Sequence, residues 1–365
     1  MDHLQPRRPL SNLRRQRGLT LVEFMVSVTI GLMLVAAIAT LIADQSGNRA
    51  EVDRAGRMIE NGRYAVRAMA EDLQVSGYWG ELNGVPTAAA LAGLPDPCSL
   101  ALADVEAASQ LHIQGYNAVA AGAAPSCVDN HKEGTDILVV RHADPDTTEH
   151  ETTPGVSDLT KLKAGQLYVQ TGLNAASSAF FARVRFGASA ADNAANFTLV
   201  KKDKTTVANV RKVVVRIYYV AQCSVEVGGS CAGADGGRPL PTLKMVELGT
   251  SGGAAAWSTP VSIAEGIENM QVDYGVDSNL DGAPDGVDVD GSLIAAAGWA
   301  DVMQVKIYVL ARSLDQAAPH HVDDKTYSMG TSGTWTPASA EEKRYKRHVF
   351  VQSVRLVNPS SRRSS

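Results

Sequence analysis

Asp277, Asn279, Asp281, Asp285 and Asp288 put side-chain oxygens at positions 1, 3, 5, 9 and 12 of a twelve-residue run, with Gly282 at position 6. Calcium takes six to eight oxygens, and glycine at the sixth position allows the sharp turn between them. The Ala283 carbonyl would supply a further ligand. The run predicts a structural calcium site of the weak extracellular kind, with Kd about 10⁻⁴–10⁻³ M. The plain alternative is an acidic turn, because Asp-Gly and Asn are also turn residues. A strand-like stretch at 271–276 stands where an opening sensor would have a helix, so a clipped loop is predicted.

A second chemical feature is a lone carboxylate. Residues 19–43 form a long apolar run with one charge, Glu23. As a helix they span about 37 Å, enough to cross a membrane at a tilt. Arg14, Arg15 and Arg17 precede the run and hold that end in the cytoplasm, which places the rest of the chain across the membrane. A carboxylate inside an apolar span is costly unless paired, and so marks a functional position. The run is too long for an ordinary signal-peptide core, and its natural cleavage point is Gly18, ahead of it. Cleavage there creates an α-amine at Leu19, four residues from Glu23 and on the same helical face.

Two enzyme-like patterns lack their surroundings. Gly249-Thr250-Ser251-Gly252-Gly253 matches G-x-S-x-G, but a nucleophile elbow needs a helix directly after it, and Pro260 would cut one short. His320-His321-Val322-Asp323-Asp324 reads as a solvated loop, since adjacent histidines rarely converge on one zinc ion unaided. No phosphate-binding glycine loop occurs, and no organic cofactor is expected. All four cysteines follow the membrane run, in an oxidising compartment. Cys223 and Cys231 flank a Gly-rich turn and predict a hairpin disulfide; Cys98 and Cys127 would then pair with each other.

The elements that must position these residues follow from periodicity. Val52, Ala55, Ile59, Gly62, Val66, Met69 and Leu73 step by three and four, one apolar helical stripe. Charged residues, Asp72 among them, are assigned to the opposite face, and Gly77 to the stop. Residues 81 to about 130 read as a long loop with a short strand near 111–116. Strands are predicted at 137–141, 213–220, 243–248, 270–276, 302–310 and 349–357. Arg362 and Arg363 read as an exposed basic tail. The expected class is α+β, one long helix against a mainly antiparallel sheet.

Charge and composition narrow the function. The chain is 45% hydrophobic and 20% charged, which excludes a disordered chain and a polytopic membrane protein. Residues 1–18 carry a net +4 and the remaining 347 carry −9, so a basic head precedes an acidic body. The acidic balance argues against general nucleic-acid binding.

Arg17-Gly18-Leu19-Thr20-Leu21-Val22-Glu23 resembles the type IV prepilin motif. Arg63-Tyr64-Ala65 and Gly77-Tyr78-Trp79-Gly80 resemble the helix end of PilW-type minor pilins, and the likeness extends to 263–290 and 345–358. Leu19 replaces the commoner Phe. No Pro interrupts 19–80, where major pilins usually carry one. The resemblance implies a leader at 1–18, a long helix at 19–80 (membrane part 19–43, amphipathic part 44–77) and a β-rich periplasmic domain at 81–365. It implies cleavage between Gly18 and Leu19 by prepilin peptidase, methylation of Leu19, and assembly guided by Thr20 and Glu23. Implied partners are other minor pilins, the major pilin, a tip adhesin and the inner-membrane assembly platform. The implied role is a structural minor pilin that starts pilus assembly at the filament tip and serves twitching motility and adhesion. A type II secretion pseudopilin would share the leader and fold. An adhesive pilin head and a membrane-anchored enzyme are two more rivals to that role.

Overall fold

The computed structural model describes residues 18 and 20–363, apart from 83, 85, 87–90, 92, 154, 178 and 318–320. Leu19, the leader 1–17 and His320 therefore lie outside the described residues, as does the side chain of Asp44. The chain divides into two compact units, one up to Asp53 and one from Arg54 onward.

One helix, Leu21–Val75, opens the chain and contains a stretch long and apolar enough to cross a membrane. In the first unit its large apolar side chains from Leu21 to Ile42 are exposed. Its hydroxyls bond back to the helix: Ser27 Oγ donates to Glu23 O at 2.6 Å, Thr29 Oγ1 to Val26 O at 2.8 Å and Thr40 Oγ1 to Ala37 O at 2.9 Å. That leaves these polar groups satisfied without water, as a lipid-facing helix requires. The helix stops where Gly77 takes a left-handed φ of +70° and donates its N–H to Arg141 O.

In the second unit the buried stripe of this helix is Met58, Gly62, Ala65, Val66, Met69, Ala70 and Leu73. The predicted stripe is right from Gly62 onward; before it Ala55 is half-buried and Ile59 exposed, and Val52, in the first unit, is exposed. Asp72, assigned to the polar face, is buried. Phe350 lies over Gly62 so closely that a Cβ there would overlap its ring.

Two antiparallel sheets make the body. In the larger, of eight strands, Val210–Ala221 is central. One edge pairs with Ile137–Ala143, which pairs in turn with Ile113–Tyr116. The other edge is shared: its first residues pair with Leu167–Leu173, which carries Phe180–Phe186, and its later ones with Thr242–Ser251. Thr242–Ser251 also pairs with Ala254–Trp257 and Val261–Glu265. The smaller sheet runs Val289–Asp290, Ile267–Val276, Val302–Arg312, Arg347–Arg355.

The helix stripe, Leu138, Val140, Tyr218 and Val220 of the larger sheet, and Met270, Val272, Val305 and Ile307 of the smaller form one core. The other face of the larger sheet is also buried, through Trp79, Ile137, Val139, Val215, Ile217 and Tyr219. Burial on both faces explains why 213–220 reads as a near-continuous apolar run. Residues 81–130 are not one loop: they hold the helix Leu102–Ala108 as well as Ile113–Tyr116. Leu167–Leu173 and Phe180–Phe186 had no predicted counterpart. In the first, Gln170 is buried, donating to Leu199 O and Ala208 O and accepting from Leu199 N.

Candidate functional site

Thr20 and Glu23 form a reciprocal cap at the start of the helix. The Thr20 N–H and Oγ1 donate to Glu23 Oε2 at 3.0 and 3.1 Å, and Glu23 N–H donates to Thr20 Oγ1 at 3.2 Å. Two donors left over at a helix start are thus satisfied by the pair. Gly18 lies just outside the helix with no neighbour crowding its Cα. The helix begins at Leu21, with Glu23 engaged by Thr20 in its first turn.

At the other end, the helix is tied to the larger sheet through Asp72. Its Oδ1 accepts from Arg216 Nη1 at 2.9 Å and faces His142 Nε2 at 3.2 Å, and its Oδ2 accepts from Tyr218 OH at 3.1 Å. Burial, followed by the nearby Asp72 charge, pushes the Tyr218 hydroxyl well up, so it stays protonated and donates. Arg216 Nε also donates to Glu247 Oε2 at 2.9 Å, and Lys212 Nζ to Glu247 Oε1 at 2.7 Å. Burial raises the Glu247 carboxyl, but these two cations more than offset it and hold it below its ordinary range. Sequence reasoning missed Asp72, although 58, 62, 65, 69, 72 and 76 continue one buried helical row.

The predicted basic tail is folded rather than exposed. Val357–Arg363 is a short helix, and Asn358 Nδ2 donates to Ser76 O at 3.2 Å while Arg362 donates to Gly77 O. Donors and positive charge at the C-terminus of a helix complement its unpaired carbonyls. Burial lowers the Arg362 guanidinium to about 10, still charged at neutral pH. Arg363 Nη1 reaches Asp277 Oδ2 at 3.3 Å, and its other nitrogen bonds Asp301. The end of the long helix and the start of the acidic loop are therefore joined by adjacent arginines.

That loop makes the predicted sharp turn. Gly282 has φ +87° and Leu280 φ +67°, and Asp277 accepts from Asp281 N at 3.1 Å and Gly282 N at 3.0 Å. Asn279 Nδ2 donates to Asp281 Oδ2 at 3.1 Å and Asp285 Oδ1 at 3.0 Å, so these three side chains meet. Two other predicted ligands, Asp277 and Asp288, are engaged elsewhere. Asp277 is paired with Arg363, Asp288 accepts from Gln304 Nε2 at 3.2 Å, and Ala283 donates its N–H to Asp281 Oδ1. Among the described residues, no group of three or more His, Cys, Asp or Glu side chains is arranged to hold a metal.

The remaining candidates resolve as structure. Ser251 ends a strand, and the Gly252-Gly253 turn, with φ +60° and +81°, leads into another strand rather than a helix. Asp323, predicted in a solvated loop, is buried and bonded to Arg347 Nη1 at 3.0 Å and to Tyr327 OH. Cys98 is joined to Cys127 and Cys223 to Cys231, each with Cα atoms 5.5 Å apart. The first clips the segment around Leu102–Ala108, and Trp257 Nε1 donates to Cys98 O at 3.1 Å beside it.

Comparison with known proteins gives two family matches. Residues 217–358 match the family described as Type IV Pilus-assembly protein W, and residues 13–39 match the prokaryotic N-terminal methylation motif. Among solved structures, the type IV-like pilin TTHA1219 from Thermus thermophilus is similar at 15% identity, covering 40% of this chain and 79% of that one, with a TM-score of 0.16. At that score the likeness carries no argument. No curated protein matches.

Proposed function

We propose that this chain, a PilW-type minor pilin by its two family segments, helps to start type IV pilus assembly within a minor-pilin complex at the filament tip. The carrying observation is the single carboxylate of the apolar helix, Glu23, capped by Thr20 and set five residues after Gly18. The apolar helix anchors the protein in the inner membrane with its C-terminal domain in the periplasm. Prepilin peptidase cuts between Gly18 and Leu19, and the new Leu19 amine competes with Thr20 for Glu23. A charge confined to one level of an apolar helix makes lateral docking in lipid register-specific. Its partners are the other minor pilins, the major pilin, a tip adhesin and the assembly platform, and the role extends to twitching motility and adhesion. A type II secretion pseudopilin would share the leader, but the PilW segment favours the pilus.

Two substitutions test this. Gly18→Ala is expected to leave the leader attached, read as a mass about 2 kDa too high for the cleaved chain. Glu23→Ala is expected to be cleaved yet to lose co-purification with minor pilins from sheared pili. Normal cleavage of the first variant, or unchanged piliation and co-assembly in the second, would sink the proposal.

Calcium at the 277–288 loop belongs to the same proposal as a structural clip. Asn279, Asp281 and Asp285 already converge, and the ion would exchange with Arg363 at Asp277. With Kd about 10⁻⁴–10⁻³ M, 10 mM calcium would stabilise the fold by about 1.4–2.7 kcal/mol. The expected result is a higher Tm in calcium than in chelator for the full chain in micelles, lost in Asp277→Ala/Asp281→Ala. Equal melting in both buffers removes calcium from the account.

A further inference from the structure

The strand Arg347–Arg355 ends one side of the four-stranded sheet and pairs only with Val302–Arg312. The register is unbroken, from Arg312 opposite Arg347 to Gln304 opposite Arg355. Ser313 N donates to Lys346 O and Leu356 N to Met303 O, both at 2.8 Å, which fixes the phase of the ladder. Amides and carbonyls in an antiparallel ladder alternate between facing the neighbour and facing away. By that phase, Arg347, Val349, Val351, Ser353 and Arg355 turn theirs outward, and among the described residues no strand pairs with that side.

A long edge without Pro or bulge is a template for another chain, and proteins usually blunt such edges. Three of the other edges are blunted. Val289–Asp290 is two residues long, Val261–Glu265 carries a register shift, and Phe180–Phe186 has Arg185 bonded to Glu106 of the neighbouring helix. At the open edge Val351 is 50% exposed, and Gln352 and Ser353 are exposed with it.

Charge selects the occupant. Residues 343–365 contain seven basic residues and no acidic one, in a chain of net −5. Lys343, Arg347, Arg362 and Arg363 are taken up by internal bonds. Arg344 is exposed, and Arg355 is exposed while its Nη2 donates to Gly282 O at 3.1 Å. Lys306, opposite Ser353, stands over the Tyr308 ring, and Tyr308 is opposite Val351. The two carboxylates that act on Lys306 are engaged, Asp273 by Thr331 and Asp288 by Gln304. We infer that Arg347–Arg355 is a strand-addition surface for an extended segment of a partner protein that carries carboxylates at the positions flanking Val351. Backbone bonds supply the affinity and the cations select the sequence.

The test places a photo-crosslinking amino acid at Val351 of the full chain in piliated cells, with the crosslinked peptide read by mass spectrometry. The expected adduct maps to one extended segment with Asp or Glu on both sides of the crosslink. Ser353→Pro removes an outward amide that the fold does not use, so it is expected to cut the adduct at least tenfold while Tm stays within about 2 °C. Arg355→Glu is expected to cut it as well. No adduct, an adduct to a second copy of this chain, an adduct to a basic or helical segment, or one indifferent to Ser353→Pro in a folded variant overturns the inference. The edge is defined without reference to the leader, so failure of the Gly18 and Glu23 tests would leave this one to stand or fall alone.

Discussion

Asp72→Ala is expected to destabilise the second unit by about 3–5 kcal/mol, the range for removing one partner of a buried ion pair. The carboxylate is almost fully buried and answers to Arg216, Tyr218 and His142 at once. Alanine would leave the Tyr218 hydroxyl without its acceptor and the Arg216 charge held by Glu247 alone. Asp72→Asn keeps an oxygen for Tyr218 and removes the charge, so it should cost less. Denaturant unfolding of the two variants measures the difference. A loss below about 1 kcal/mol for alanine would mean that the pair is solvated and ties nothing. Leader cleavage should proceed normally in both, because Gly18 belongs to the other unit. Co-assembly should fail in the alanine variant.

Arg347→Ala is expected to cost as much or more, about 3–5 kcal/mol at least. Its side chain is fully buried and bonds two carboxylates, Glu268 and Asp323, which are themselves 2% exposed. Losing the arginine strands both. Arg312 is left near Glu268, at 3.6 Å, and Tyr327 still donates to Asp323, so the loss is partial rather than total. The informative control is Arg347→Met with Glu268→Gln and Asp323→Asn. It removes these three charges but leaves Arg312 without its carboxylate, so it should recover part of the stability, since neutral replacement of buried paired charges is often tolerated. If the triple variant is no better than Arg347→Ala, packing of the guanidinium over Trp335, at 4.9 Å, matters more than charge.

How far the sequence could be read depended on whether a signal was local. The membrane helix was legible because apolar length is a property of one segment, and Glu23 because it is the one charge in that segment. The strand at 213–220 was legible because both of its faces are buried. Leu167–Leu173 was not, because buried Gln170 carries polar atoms whose partners, Leu199 and Ala208, lie some thirty residues away. Asp72 and Asp323 read as surface by residue type; the partners of Asp72 lie 70 to 146 residues on, and Arg347, which pairs with Asp323, comes from another strand. The arginines after Asn358 read as a tail because a helix of seven residues gives little periodic signal, and its purpose is visible only beside Gly77. The 277–288 loop showed its turn correctly through Gly282, yet spacing could not foresee that Arg363 would arrive at Asp277.

The contacts that seat the long helix also set a timetable. Asn358 meets Gln74 across 284 residues of sequence, and Arg216 meets Asp72 across 144. Contacts so remote form late, and folds dominated by them fold slowly. The helix can enter the bilayer as soon as it is made. Its buried row at Met58, Ala65, Met69 and Leu73 must then wait, apolar and uncovered, until the final strands have been made. Through that interval the nascent chain is exposed to aggregation and proteolysis. A holdase that covers this row is expected to matter more for yield than any factor acting on the finished head.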